Sequence, residues 1–341
     1  MAYKVTIKPS ENSFTAEEGE TILAAAMRAG YTLPYGCKNG ACAACKGKVL
    51  EGNIDHGSPQ ISALADFEKN DGLTLFCQAT PKSDLIIEGR EIESNATIEV
   101  RRLPSRVQEI RRVTDDVVIL KLKLPANQEF KFLAGQYIDV LLREGKRRSY
   151  SMGNSPHNNE YIELHVRSMA NGTFTKQVFE TLKEKDILRF EGPLGTFFLR
   201  EETDKPIILV ASGTGFAPIK SIIEYAFEKG IDRSMVLYWG GRRPKDIYMI
   251  DLAMQWQQDH PNFSFVPVIS DQDSDDIWDG RTGLVHAAVM DDIPNMSEHE
   301  VYACGVPVMV EAAHKEFTEL RGLPEDAFFS DAFTPSIDPK K

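Results

Sequence analysis

The chain reads as three domains of different class: a small α+β unit, an antiparallel β-barrel and a doubly wound α/β unit. Three observations predict this. Cys37, Cys42, Cys45 and Cys77 gather near the N-terminus, short alternating strands fill the middle, and an apolar strand near residue 207 runs into glycines and a helix. A chain of 341 residues is expected to hold two or three domains. Its 42% hydrophobic and 26% charged content suits soluble domains with buried cores. The expected boundaries are 1–93, a linker at 94–103, 104–202 and 203–341.

In the first domain Tyr3, Val5 and Ile7 alternate with polar residues, as a half-buried strand does. A turn at Ser10-Glu11-Asn12 leads to a return strand from Phe14. Gly19 then releases a helix with Ile22, Ala25, Ala26 and Ala29 on one face, closed by Gly30 and blocked by Pro34. Strand, hairpin, helix and cysteine loop together make a β-grasp arrangement. Cys77 follows Leu73-Thr74-Leu75-Phe76, which reads as a strand end.

The spacing C-x4-C-x2-C, with a fourth cysteine well downstream, is that of a plant-type 2Fe–2S cluster. A zinc site would more often present pairs of C-x2-C knuckles. A disulfide framework is disfavoured by the size of the chain and the lack of an export signal. The loop from Tyr35 to Cys45 is small and nearly free of bulk, so its amides can turn inward towards sulfur. Such a cluster carries one electron at a time, so the remaining domains should supply the electrons. Here the first domain resembles plant-type ferredoxins.

The second domain is marked by Val117–Leu122, Gly135–Val140 and Ile162–Val166, short strands that suggest a small barrel. The third opens on Pro206–Ala211, a buried parallel strand. A helix from Pro218 to about Lys229 follows, closed by Gly230, and then the strand Met235–Trp239. Strand, glycine loop, helix and strand begin a doubly wound sheet. The acidic stretch from Asp271 to Asp279 reads as a solvated loop.

Several motifs carry candidate chemistry. Arg148-Ser149-Tyr150-Ser151 offers a guanidinium for pyrophosphate, a ring that can stack and a hydroxyl that can meet a ring nitrogen. His165-Val166-Arg167 follows on the next strand. Gly172, Thr173 and Thr175 open a helix, a natural phosphate seat. Gly213-Thr214-Gly215 sits between a strand and a helix, with Pro218 in the first turn. Ala303-Cys304-Gly305-Val306-Pro307 leaves a strand for a helix, and Arg242-Arg243 follow the second strand.

In this order the motifs resemble the ferredoxin–NADP reductase superfamily. The resemblance implies that Arg148 holds the pyrophosphate of FAD, Tyr150 packs on the isoalloxazine, and the Gly172–Thr175 segment binds phosphate. Thr175 stands where relatives carry serine. Gly213, Thr214 and Gly215 are implied for the nicotinamide nucleotide, with Cys304 and Gly305 beside the nicotinamide. Asp331 and Phe333 stand where relatives often carry a glutamate and an aromatic close to the flavin. Ser151, Cys304 and Asp331 are the candidates for the hydride path. Arg242 and Arg243 could bind the extra phosphate of NADP, but related NADH enzymes also carry basic residues there, and NADH is the expectation.

The layout of ferredoxin, FAD barrel and pyridine-nucleotide domain resembles reductase components that serve oxygenases, such as those of phenol hydroxylase and methane monooxygenase. The segment Gly145–Ser151 and the ending Phe328–Phe333 also resemble reductases that serve deoxysugar dehydratases. The implied route is NADH (or NADPH) to FAD, then the 2Fe–2S cluster, then an electron-acceptor protein, either a dehydratase or an oxygenase component. Two other classes stay open: a carrier that does not oxidise NAD(P)H, and an iron–sulfur redox sensor. Net charges of −4, +3 and −11 over residues 1–93, 94–202 and 203–341 make nucleic acid a poor partner. No apolar run approaches a membrane span, and a cytoplasmic monomer is expected.

Overall fold

The computed structural model describes residues 2–92, 98–170 and 172–334, which fall largely into two compact units meeting between residues 92 and 98. The first unit holds β1 (Tyr3–Lys8), β2 (Ser13–Ala16), α1 (Ile22–Arg28), β3 (Lys46–Glu51), β4 (Ile54–Asp55), α2 (Asp66–Asn70), β5 (Leu73–Leu75), β6 (Thr80–Pro81) and β7 (Leu85–Glu88). Five strands form a sheet in the order β2-β1-β7-β3-β5, with β4 and β6 as a separate ribbon. Only β1 and β7 run parallel. Val5 and Ile7 of β1 and Ile22, Ala25 and Ala26 of α1 are fully buried against this sheet. Thr21 caps α1 by accepting from the Ala24 amide, and Gly30 follows at φ +87°. Ala29, expected on the apolar face, is exposed because the helix has already ended at Arg28.

The second unit contains both the barrel and the α/β sheet. The barrel strands are β8 (Arg101–Arg112), β9 (Val117–Lys123), β10 (Tyr137–Leu141), β11 (Arg147–Ser151), β12 (Tyr161–Arg167) and β13 (Ile187–Leu194), with α3 (Thr173–Glu180) between the last two. They pair antiparallel in the order β11-β10-β13-β8-β9-β12, and a bridge between Met152 and Leu164 nearly closes the sheet. β8 opens at Arg101, inside the segment expected to be linker; residues 94–97 of that segment lie outside the described residues. Pro104 sits within β8, where the strand pairs with β13 alone and one flank carries no ladder.

The α/β part contains β14 (Ile207–Ser212), α4 (Phe216–Lys229), β15 (Met235–Gly241), α5 (Ile250–Asp259), β16 (Phe263–Ile269), β17 (Arg281–Thr282), α6 (Val285–Asp292), β18 (Glu300–Gly305), α7 (Pro307–Arg321) and β19 (Phe328–Ala332). All its strands are parallel, in the order β17-β16-β15-β14-β18-β19. The order reverses between β14 and β18, so a crevice opens past their C-terminal ends. α4 starts at Phe216, two residues before expected; Pro218 is third in the helix, where its missing N–H still costs no intrahelical bond. Gly230 closes it in the left-handed region.

A buried ion pair ties β18 to the turn before β15. Arg233 Nη2 lies 2.7 Å from Glu300 Oε2, and its other nitrogens donate to the carbonyls of Lys205 and Arg200. Thr203 and Tyr302 hydroxyls donate to the same carboxylate. Arg233→Met strands a buried Glu300, so it is expected to cost about 3–5 kcal/mol of stability. Denaturant titration of the unit checks this, and a loss below about 1 kcal/mol would count against the pair.

Candidate functional site

Cys37, Cys42 and Cys45 lie on the loop between α1 and β3, and Cys77 lies two residues past β5. Lys38, Gly40 and Ala43 all take positive φ, which curls the loop and points its amides inward. A side chain at Gly40 would press on Gln78 and Pro59. The amides of Cys37 and Cys42 each sit 3.3 Å from the other's sulfur. The Cys42 thiol, followed by the amides of Asn39, Ala41 and Cys42, lowers the Cys37 thiol to about 5 despite burial. Cys45 donates in the same way to Cys77, which is lowered too, with the Gly40 amide adding to it.

The sulfurs thus associate as two pairs, Cys37 with Cys42 and Cys45 with Cys77. Among the described residues no three His, Cys, Asp or Glu side chains converge as a single-ion site. Four thiols in two pairs, ringed by amide donors, fit a two-iron cluster better than one tetrahedral zinc. Cys45 and Cys77 are buried, while Cys37 and Cys42 are half-buried.

On the barrel, β11 places Arg148 and Tyr150 on one face. Tyr150 packs on Phe174 at 5.3 Å between ring centroids, and burial pushes its hydroxyl pKa up. Ser149 alternates away from them, and its hydroxyl donates to Asp139 at 2.7 Å. Ser151 is buried, and its hydroxyl lies 3.5 Å from Asp331 Oδ2, so the strand ends of β11 and β19 meet.

Three sequence candidates on β12 are placed differently from a side-chain cofactor role. His165 is buried, with Nε2 3.0 Å from Glu163 Oε1 and Nδ1 2.7 Å from the Tyr248 hydroxyl. The Val166 side chain is wholly in the barrel core. Arg167 is spent on carboxylates: Nη2 is 3.0 Å from Asp246, and Nε is 3.0 Å from Asp116, off the hydrogen-bond axis. His165 and Val166 have only their backbone to offer. At the start of α3, Thr175 turns its hydroxyl back onto the Gly172 carbonyl at 3.1 Å, and a side chain at Gly172 would collide with it. Thr173 is exposed at the first helical position.

The α/β crevice is built from two glycine turns in contact. Gly213-Thr214-Gly215 forms a tight turn after β14, with Gly213 at φ +53°. A methyl on Gly215 would run into the Cys304 carbonyl and lie 2.7 Å from the Gly305 Cα. Gly305, at φ +146°, leaves no room for a side chain beside Ser212, whose hydroxyl accepts from the Val306 amide at 3.0 Å. Phe333 donates its amide to the Gly305 carbonyl at 2.7 Å. Cys304 is fully buried and pairs in register with Asp331; burial, then the nearby carboxylate, pushes its thiol pKa well up. Cys304 is therefore a neutral thiol.

Arg242 is exposed beside Asp246. Arg243 is half-buried and donates to Asp273 at 2.7 Å and Asp276 at 2.9 Å. The acidic stretch is the largely exposed loop expected, and two of its carboxylates pair with Arg243. Sequence reasoning missed Asp246, Tyr248, Glu163, Lys220 and Trp239. Trp239 stacks on Phe216 at 3.8 Å and donates its indole N–H to the Gly213 carbonyl. A lysine at position 220 between Ile219 and Ile222 was the available signal for a buried charge.

Sequence models of three families match this chain in order. They are the 2Fe-2S iron-sulfur cluster binding domain over residues 5–82, the oxidoreductase FAD-binding domain over 104–199 and the oxidoreductase NAD-binding domain over 209–315. A CDP-6-deoxy-L-threo-D-glycero-4-hexulose-3-dehydrase reductase of Yersinia pseudotuberculosis is 41% identical over 98% of this chain and 100% of its own. The reductase component 1 of a terephthalate 1,2-dioxygenase from Comamonas is 33% identical over 98% of both chains. The crystal structure of the Amycolatopsis cytochrome P450 reductase GcoB superposes with a TM-score of 0.78 at 32% identity, covering 98% of this chain and 99% of that one. Among the described residues no helix is long and apolar enough to cross a membrane. Paired cysteine sulfurs, a nearly closed barrel and a switch-point crevice thus occur in the order of those three domains, and the chain belongs to the NAD(P)H-dependent iron–sulfur flavoprotein reductases.

Proposed function

We propose that this reductase draws on NADH and delivers electrons to a dehydratase acting on a CDP-6-deoxyhexulose, in a reducing cytosol. NAD(P)H supplies a hydride, and FAD with the 2Fe–2S cluster divides its two electrons into single transfers to the acceptor. The observation that carries the choice of acceptor is the 41% identity, end to end, with a reductase named for that dehydrase. Mixing the purified reductase with such a dehydratase, its substrate and NADH tests it. Dehydratase-dependent turnover is expected. Coupling to an aromatic-ring oxygenase component alone would favour the second reading, for which the 33% identity to the terephthalate dioxygenase reductase speaks.

In this reading Cys37, Cys42, Cys45 and Cys77 hold the cluster. Arg148 neutralises the flavin pyrophosphate, Tyr150 lies against the ring, and the amides at Gly172 and Thr173 seat phosphate while Thr175 shapes that turn. Ser151 and Asp331 present a hydroxyl and a carboxylate at the flavin edge, with Phe333 beside it. Gly213, Thr214, Gly215 and Gly305 let the backbone approach the nicotinamide nucleotide. Cys304 is a small neutral wall for the nicotinamide.

The preference for NADH is supported by Arg243, whose guanidinium is already engaged by Asp273 and Asp276. A 2′-phosphate would have to displace both carboxylates. Asp273→Ala/Asp276→Ala is expected to shift the NADPH/NADH ratio of kcat/KM upward by roughly tenfold, the scale of one charge-assisted hydrogen bond. An unchanged ratio in steady-state kinetics would remove Arg243 from the choice.

A further inference from the structure

A buried polar cluster fastens the barrel to helix α4. Lys220, Glu163 and His165 are all at least nine-tenths buried. Lys220 Nζ is ion-paired with Glu163 Oε1 at 3.1 Å and with Glu224 Oε1 at 2.8 Å, and it donates to Glu224 Oε2 and to the Gly153 carbonyl, each at 2.9 Å. Glu163 Oε1 also receives His165 Nε2, and the Tyr248 hydroxyl donates to Nδ1. This is the neutral tautomer of His165, whose pKa burial pushes down. Burial pushes the Glu163 carboxyl up, yet the His165 hydrogen bond and the Lys220 ammonium outweigh it and hold it at about 2.

The attachment continues along the helix. Ser221 donates to the Asn154 carbonyl at 2.7 Å, and Ser155 bonds Glu228. Residues 153–155 thus run along α4, and they directly continue the strand bearing Arg148, Tyr150 and Ser151. The other partner, α4, carries Gly213–Gly215 at its start. A purely apolar contact here would tolerate sliding by a fraction of an ångström. A lysine held between two carboxylates and a backbone carbonyl does not, because any slip leaves a buried charge short of a partner.

We infer that the Lys220–Glu163 pair is a positioning device that sets the register between the Arg148–Ser151 strand and the Gly213–Gly215 turn for hydride transfer. This rests on the reading of those segments as the flavin and nicotinamide sites. Neither residue is catalytic; both act through the segments they hold.

The test uses the full-length holoprotein with Lys220→Met, Glu163→Gln and a combined variant carrying both together with Glu224→Gln. Four quantities are measured: the limiting rate and apparent Kd of flavin reduction by NADH in stopped flow, the thermal midpoint, and the long-wavelength charge-transfer absorbance with nicotinamide. Hydrogen exchange of residues 153–155 is followed as well. The single variants are expected to lose about 10- to 100-fold in limiting rate, the cost of a misplacement near 1 Å. Their Kd for NADH and FAD content should change less than about threefold, the charge-transfer band should weaken, and exchange at 153–155 should rise. In the combined variant, where Lys220, Glu163 and Glu224 are all uncharged, the thermal midpoint should recover while the rate and band stay low. Recovery of rate together with midpoint would overturn the inference and leave a stability role. Wild-type rates and an unchanged band in all three variants would also overturn it. If the wild-type protein itself shows no flavin reduction by NADH, the assignment of the sites fails, a result distinct from failure of the clamp.

Discussion

Replacing Cys42 by serine is expected to abolish NADH-dependent reduction of cytochrome c while leaving NADH-dependent reduction of ferricyanide within about a factor of two. The two acceptors differ in where they draw electrons. Cytochrome c is expected to take them from the iron–sulfur centre, whereas ferricyanide also oxidises reduced flavin directly. Cys42 is half of the more exposed sulfur pair, with its amide 3.3 Å from Cys37 sulfur and its own sulfur 3.3 Å from the Cys37 amide. A serine oxygen is a harder and less acidic donor than a thiolate and is a poor match for iron–sulfide chemistry. The barrel and the α/β sheet belong to the other compact unit, so their folding should not feel the change. Parallel assays with the two acceptors, with FAD content measured, check it. Loss of both activities in protein that still holds FAD contradicts a route in which the cluster is the last station.

Gly215→Ala is expected to lower NADH-dependent reduction of every acceptor by at least about 100-fold. Its φ is ordinary, so backbone strain is not the reason. The reason is space: the added methyl would meet the Cys304 carbonyl and lie 2.7 Å from the Gly305 Cα, and both belong to a strand end that cannot swing aside. β14 and β18 are neighbours in register from Ile207 with Glu300 to Ala211 with Cys304, so relief requires parting them at the crevice. The Tyr150 and Arg148 face of the barrel carries no such contact, and FAD content should be kept. Stopped-flow reduction by NADH, with dithionite reduction as a control, reads the effect. Normal NADH kinetics would mean that the two turns need not touch for the site to work.

Much of the architecture was legible along the chain because it depends on short-range pattern. Alternation at Val5 and Ile7, the unbroken apolar run Ile207–Ala211 and the closing Gly230 each report a local periodicity or a local dihedral need, and each appears where expected. The glycine turns were readable for the same reason. Boundaries were less so: β8 begins within the presumed linker, because a strand edge is decided by its partner β13 and not by its own composition. The polar side chains were least readable. Ser149 and Thr175 stand out in the sequence as candidate cofactor hydroxyls, yet strand alternation turns one to Asp139 and the helix start turns the other to Gly172.

By itself the sequence determined the cofactor classes and their order, since thiolate spacing, glycine turns and strand periodicity are properties of neighbouring residues. Only the tertiary structure decided which charges are free to meet a ligand. Arg167 goes to Asp116 and Asp246, Arg243 to Asp273 and Asp276, and Lys220 to Glu163, all across separate elements of the fold. The physical reason is that a buried or half-buried charge must find its counter-charge in space. Distance along the chain carries no information about where that partner will be.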